Sequence, residues 1–232
     1  MSDIYQLANV GMVDTRQRLE AISMNAASAS LTGYRRHVVT GRTFDAALAA
    51  SPTSPQVDLQ RGALMATGRP LDLAIETDGV FFGLTDGTQT WLTRAGNFTL
   101  DEQGVLVGEH GLRVVGSQGD LRLPGSDGLQ IAADGRITHA GAVVATLQLF
   151  KPLDRVSLQA ASGSLLLAPS GMEPVSADAV RIRSGTLEAS NTDASREMLG
   201  LMTLSRQFES LSRVLQSYDD LLGRTIQKLG EV

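Results

Sequence analysis

The chain has 232 residues, 42% hydrophobic and 19% charged, with a net charge of −5, 4% aromatics and no cysteine. That length suits one or two domains with an adequate core, and the apolar content excludes wholesale disorder. The missing cysteines exclude disulfide scaffolds, thiolate zinc sites and cysteine nucleophiles, and the acidic balance argues against a general nucleic-acid binder, which needs a basic surface.

No apolar run approaches the roughly 20 residues that span a bilayer. Met1 to Val10 lacks the charged start and apolar stretch of a secretory signal peptide, which by itself reads as a cytoplasmic protein. All seven prolines lie between Pro52 and Pro174, and 15 of the 24 glycines fall between Gly62 and Gly141. Proline breaks helices and glycine weakens them, so the distribution predicts helical ends around an irregular or strand-rich middle.

At the N-terminus Tyr5, Ala8, Met12, Thr15, Leu19, Ile22, Ala26 and Ala29 alternate spacings of three and four, and Ile4 and Leu7 widen the stripe. This predicts a helix, with Gly33 as its stop and Arg35 and Arg36 complementing the negative end of the helix dipole. The small residues from Ala26 to Ser30, which follow Asn25, leave room for a partner helix. From Val38 to Arg69, Ser51-Pro52-Thr53-Ser54-Pro55 marks an extended connector.

The middle reads as β. Leu71, Leu73 and Ile75 alternate with Asp72, Ala74 and Glu76, and turn pairs follow at Asp78-Gly79, Asp86-Gly87, Asp127-Gly128 and Asp134-Gly135. Trp91 to Leu100 reads as a strand broken at Gly96-Asn97, Asp101 to Gly104 as a tight turn, and Val143 to Phe150 as one strong strand. Turn signals this closely spaced favour an all-β domain.

In the C-terminal segment Leu201, Leu204, Phe208, Leu211, Leu215, Tyr218, Leu222, Thr225 and Leu229 keep the mean 3.5-residue period of a coiled-coil seam. A helix from Asp193 to Leu229, capped by Asn191 or Asp193 and ended by Gly230, is about 55 Å long at 1.5 Å per residue. Two seams of like period suggest that the termini pair with each other; the alternative is two separate amphipathic helices packed on a globular core. The expected fold class is therefore α+β, with the N- and C-terminal helices paired as a coiled coil and a central all-β domain reached by an extended connector.

Signals for chemistry are sparse. His37, His110 and His139 are scattered and read as solvated surface, and no phosphate loop, nucleophile elbow or zinc-helix motif is present. The aspartates before glycine suggest paired glycosidase carboxylates less well than they suggest turns. Phe81, Phe82, Trp91 and Phe98 read as core of the β domain. No catalytic residue, metal site or cofactor is expected, and neither nucleic acid nor a small-molecule substrate is an expected partner.

Several stretches together are similar to the bacterial flagellar rod and hook proteins. Asn25, Ala27, Ala29, Gly33 and Tyr34 keep the family's N-terminal signature, while Met24, Ala26 and Ser28 stand where Asn, Leu and Asn are usual. Arg69-Pro70-Leu71-Asp72-Leu73-Ala74-Ile75, followed by Asp78-Gly79 and Phe81-Phe82, resembles the entry to the family's β domain. Thr93-Arg94-Ala95-Gly96-Asn97-Phe98 and Asp101-Glu102-Gln103-Gly104 resemble its next strand and turn. Gly185-Thr186-Leu187-Glu188-Ala189-Ser190-Asn191 resembles the opening of the C-terminal helix, with Thr192 in place of valine. The short connector and the Arg-Pro-Leu-Asp entry look closest to the proximal-rod member next to the distal rod.

The resemblance implies a structural subunit of the basal-body rod, exported without a cleavable signal through the flagellar type III apparatus, with no reaction to catalyse. It implies terminal helices (1–34 with 191–232) in the axial core, a connector over 35–69 and an outer β domain over 70–190. Partners would be other rod proteins, further copies of the chain and the export apparatus. Subunit packing is expected from Tyr5, Met12, Leu19, Ile22, Asn25, Leu201, Leu204, Phe208, Leu211, Leu215, Tyr218, Leu222 and Leu229. The alternatives are a distal-rod protein of the same family, or an envelope enzyme or glycan-binding β domain on a helical stalk.

Overall fold

The computed structural model describes residues 2–39, 55–125 and 128–230. The side chains of Tyr5, Leu222 and Leu229, Asp127 of one turn pair and most of the Ser51–Pro55 connector lie outside the described residues. The chain divides into two compact units: the described residues of Met1–Ala27, His37–Pro55 and Asp193–Val232, and those of Ser28–Arg36 and Gln56–Thr192.

The first unit carries helix α1 (Ser2–Ala27) and helix α2 (Ala194–Gly230). α2 starts where a cap is available: Asp193 Oδ1 accepts hydrogen bonds from the main-chain N–H groups of Ser195 at 3.0 Å and Arg196 at 3.2 Å. Two donors that a helix start leaves open are thereby satisfied. α1 ends at Ala27, earlier than the Gly33 stop expected from the sequence, and Asn25 then holds the chain beyond it. Its amide donates to the His37 carbonyl and accepts from the His37 N–H, both at 2.8 Å. His37 is buried rather than solvated, and that burial lowers its pKa.

The expected fold class needs correction. Among the described residues the chain is a β-rich fold of nineteen short strands with a helix at each end, and the two helices do not form a paired coiled coil. Met12, Leu19 and Ile22 on α1, and Leu201, Leu204, Phe208, Leu211 and Leu215 on α2, are all only half-buried. Among the described α1 side chains the fully buried ones are instead Thr15, Ala21 and Asn25. Thr15 bonds its own helix at the Gly11 carbonyl (2.7 Å), and Asn25 is committed to His37. Leu211 lies over Gly11 and Ile22 over Gly200, so glycines are among the points where the two helices approach. A 3.5-residue period locates a helix's apolar stripe; it does not supply a partner with matching holes.

The second unit is built on a ten-stranded, antiparallel-paired sheet. Strand Phe81–Thr85 pairs with Thr90–Thr93, setting Phe82 opposite Thr93 and Leu84 opposite Trp91, across the predicted Asp86-Gly87 turn. Asp86 Oδ1 accepts from the N–H groups of Thr88 and Gln89 and from the Thr88 hydroxyl. These bonds lower the Asp86 pKa to about 2. The core gathers Leu73, Ile75, Phe82, Leu84, Phe98, Leu106, Val114 and Ile137, all fully buried. Phe82 meets Phe98 edge-on with centroids 5.0 Å apart, an arrangement favoured by the ring quadrupoles.

Val143 to Phe150, expected as one strand, is two. Ala142–Thr146 joins a three-stranded sheet with Leu129–Ile131 and Arg136–His139, and Leu149–Pro152 pairs with Phe81–Thr85 and Met172–Val175. The chain changes sheet at Leu147, whose N–H donates to the Gly135 carbonyl at 2.9 Å. A run of apolar residues does not reveal such a switch, because each piece alone has strand-like composition.

Candidate functional site

The residues singled out near Gly33 and near Glu188 come together in the second unit. Strand Thr186–Glu188 pairs with Leu64–Ala66, and Ile182–Ser184 pairs with Leu73–Ile75. The Gly185 linking them has a φ of +69°, a conformation that costs glycine little. Its carbonyl accepts from the Thr67 and Gly68 N–H groups at 2.8 and 3.1 Å.

Glu188 is fully buried and fully engaged. Oε1 accepts from Arg35 Nη2 at 2.7 Å and from the Gly62 N–H at 3.0 Å; Oε2 accepts from Arg94 Nη1 at 3.2 Å. Its main-chain carbonyl accepts from the Gly33 N–H at 2.7 Å. Arg94 also donates from Nη1 to the Ile75 carbonyl at 2.7 Å and from Nη2 to the Thr77 carbonyl at 2.8 Å, with its guanidinium 5.5 Å from the Phe81 ring centroid. Burial pushes the Arg94 pKa down to about 10; Glu188 opposes that shift and the neighbouring Arg35 adds to it. At pH 7 Arg94 is still a cation.

Close approach explains the glycines here. A Cβ on Gly33 would lie 2.1 Å from the Ala95 nitrogen, one on Gly62 1.9 Å from the Ala189 carbonyl oxygen, and one on Gly96 1.8 Å from the Leu73 carbonyl oxygen. Each neighbour is backbone and cannot swing aside. Asn191 fastens the same corner: its Nδ2 donates to the Asp58 and Gln60 carbonyls at 3.0 and 2.9 Å, and its Oδ1 accepts from the Arg36 N–H at 2.7 Å. Tyr34 and Leu71 are buried nearby in sequence, Ser190 Oγ accepts from the Thr192 N–H, and the Pro70 carbonyl accepts from Ser184 Oγ. Asp72 is buried, with Arg69 Nη1 3.7 Å from its carboxylate.

Arg35 is buried against Glu188 rather than placed at a helix end. Arg94, quoted above only as part of a strand-and-turn motif, and Gly62, which no motif marks, bind the same carboxylate. The aspartates do not gather as a glycosidase pair: Asp78 is exposed and pairs with Arg61 at 2.8 Å, Asp86 caps its own turn, and Trp91 packs against the core. Among the described residues no group of three or more His, Asp or Glu side chains is placed to hold a metal, and no helix is long and apolar enough to cross a membrane.

Two family patterns match the chain. Residues 74–139, within the β unit, match the flagellar hook protein FlgE/F/G D1 domain, and residues 183–228 match the flagellar basal body rod FlgEFG protein C-terminal region. The chain belongs to the flagellar basal-body rod protein family. It is 30% identical to the flagellar basal-body rod protein FlgG of Bacillus subtilis over 247 residues, covering 91% of this chain and 93% of the relative. It is 31% identical to FlgF of Escherichia coli, covering 88% and 89%, and 30% identical to FlgF of Rhizobium meliloti, covering 92% of each.

Proposed function

We propose that the chain is a structural subunit of the flagellar basal-body rod, packing through its terminal helices into the axial shaft that transmits torque. The observation that carries the packing role is on α2, where Met198, Leu199, Met202, Val214 and Leu221 are all exposed. A monomer rarely leaves that much apolar surface on one helix without a partner to cover it. Family membership over nearly the whole chain supports the rod. In this reading residues 1–34 and 191–232 form the axial layer, 35–69 the connector and 70–190 the outer domain.

The same reading places the protein in the basal body, beside other rod proteins and further copies of itself, after passage through the flagellar export apparatus. The short connector and the Arg69-Pro70-Leu71-Asp72 entry favour a proximal position. The test is to image basal bodies from a strain lacking this chain, after confirming that it co-purifies with the wild-type structures. A rod that stops short without hook or filament is the expected result, and the stopping point separates proximal from distal. Complete rods would overturn the reading.

A further inference from the structure

Two turns of the second unit meet at Glu109. One is the single helical turn Glu109–Gly111, which leads into strand Arg113–Gly116; the other, 161–165, joins strands Gln159–Ala160 and Leu166–Leu167. Each is closed by its own main chain: the Leu112 N–H donates to the Glu109 carbonyl at 3.2 Å, and the Leu165 N–H to the Ser162 carbonyl at 2.9 Å. Glu109 Oε2 accepts from the Ser164 N–H at 3.2 Å and from Ser164 Oγ at 2.5 Å, and Ser164 Oγ lies 2.9 Å from Thr93 Oγ1. Those bonds orient the carboxylate and leave its other oxygen facing His110. His110 Nε2 lies 3.5 Å from Glu109 Oε1 and 3.5 Å from Ser162 Oγ. The backbone accommodates this closeness at two points. His110 has a φ of +59°, left-handed backbone that a residue other than glycine adopts at a cost. At Gly163 a Cβ would lie 1.8 Å from Glu109 Oε1. Among the described residues no lysine or arginine pairs with Glu109, and His110 is the one basic group that reaches it. Three donors thus converge on one point with no permanent cation among them.

We propose that Glu109 Oε1, His110 Nε2 and Ser162 Oγ form a binding site for a divalent cation of the zinc class, with water completing it on the solvent side. A tetrahedral ion with bonds of about 2.0–2.1 Å holds its ligands about 3.3 Å apart, and both donor separations from Nε2 lie close to that. An imidazole nitrogen beside a carboxylate oxygen suits zinc, whereas calcium and magnesium favour sets made only of oxygen. Ser164 is the outer partner such a carboxylate needs, fixing it through the oxygen that does not face the ion. The site has two strong ligands and one hydroxyl, so it is open and its binding reversible, unlike the closed four-ligand sites that hold small folds together. When occupied it ties the turn at 109–111 to the turn at 161–165, joining residues 52 apart in sequence. The inference stands apart from the rod-subunit reading, and neither depends on the other.

The test is calorimetric titration of zinc into the purified full chain after treatment with a chelator, with magnesium and calcium for comparison. One zinc per chain is expected. Binding should weaken at least tenfold in His110→Asn, because asparagine tolerates the left-handed backbone but brings no imidazole. Glu109→Gln should weaken it as much, while His139→Asn leaves it unchanged. In the unaltered chain zinc should also shift the His110 ring-nitrogen resonance and slow amide exchange at 161–165, a readout that holds even where a variant fails to fold. Circular dichroism establishes the fold of each variant before its affinity is read. No zinc uptake, uptake that survives His110→Asn, an unmoved His110 resonance, or equal affinity for magnesium overturns the proposal.

Discussion

Arg35 Nη2 reaches Glu188 Oε1 at 2.7 Å across 153 residues of sequence, and both side chains are buried. Arg94 takes the other carboxylate oxygen, so one anion holds two cations from separate segments. Net stabilisation from such a cluster over an apolar substitute is small, because all three groups were desolvated to form it. Breaking it is different. Glu188→Gln strands two buried guanidinium groups and should cost about 3–5 kcal/mol in urea unfolding. Replacing Arg35, Arg94 and Glu188 together with methionine should cost less than Glu188→Gln alone. If the triple variant is the less stable, charge burial is not what limits this corner.

The glycines offer an internal comparison. Gly62→Ala drives a methyl to within 1.9 Å of the Ala189 carbonyl oxygen, whereas Gly68→Ala meets nothing within 4 Å and carries only the penalty of its φ of +76°. Gly68→Ala should lose about 1 kcal/mol. Gly62→Ala should lose clearly more, since the backbone must move. Equal melting temperatures for the two would show that the approach of 61–63 to 188–190 is looser than the structure has it.

Asp193 is the cap of α2. Asp193→Ala should reduce stability by about 1 kcal/mol, with the loss of amide protection concentrated at Ser195 and Arg196. Asn191→Ala should act elsewhere, releasing Arg36, Asp58 and Gln60 without fraying the helix.

Asp86 should titrate near 2 by carbon-detected NMR, because three hydrogen bonds favour its anion. A carboxyl whose folded pKa lies below its unfolded value of 3.8 contributes stability that is complete above 3.8. That contribution is lost as the pH falls from 3.8 toward 2. Thr88→Ala removes the hydroxyl donor and should raise the pKa, while leaving the two main-chain bonds in place.

What the sequence made legible was local. Asp86-Gly87 and Asp134-Gly135 carry turn chemistry within a few residues, and the 193–229 periodicity marked α2 to within a residue at either end. The family motifs near Gly33 and Glu188 were visible as strings, but not as one object. Nothing within ten residues of Arg94 or Gly62 announces a buried carboxylate contributed by residue 188. The sheet change at Leu147 was hidden because Leu147 and Leu149 are both buried while Val143 and Val144 are exposed, so the usual alternation gives no warning. The coiled-coil expectation took a one-helix property, the apolar period, for a two-helix property.

The position of Glu188 late in the chain also has a temporal meaning. Residues 33–36, 62 and 94 are complete long before it, whether the chain emerges from a ribosome or threads through a pore from its N-terminus. Until residue 188 arrives, Arg35 and Arg94 lack their shared counterion and stay solvated. The corner they build can therefore close only on a chain delivered past residue 188. A fragment ending before the Thr186–Glu188 strand is thus self-marking: it carries two cations that cannot be buried and a strand, Leu64–Ala66, with no partner on its Thr186–Glu188 side.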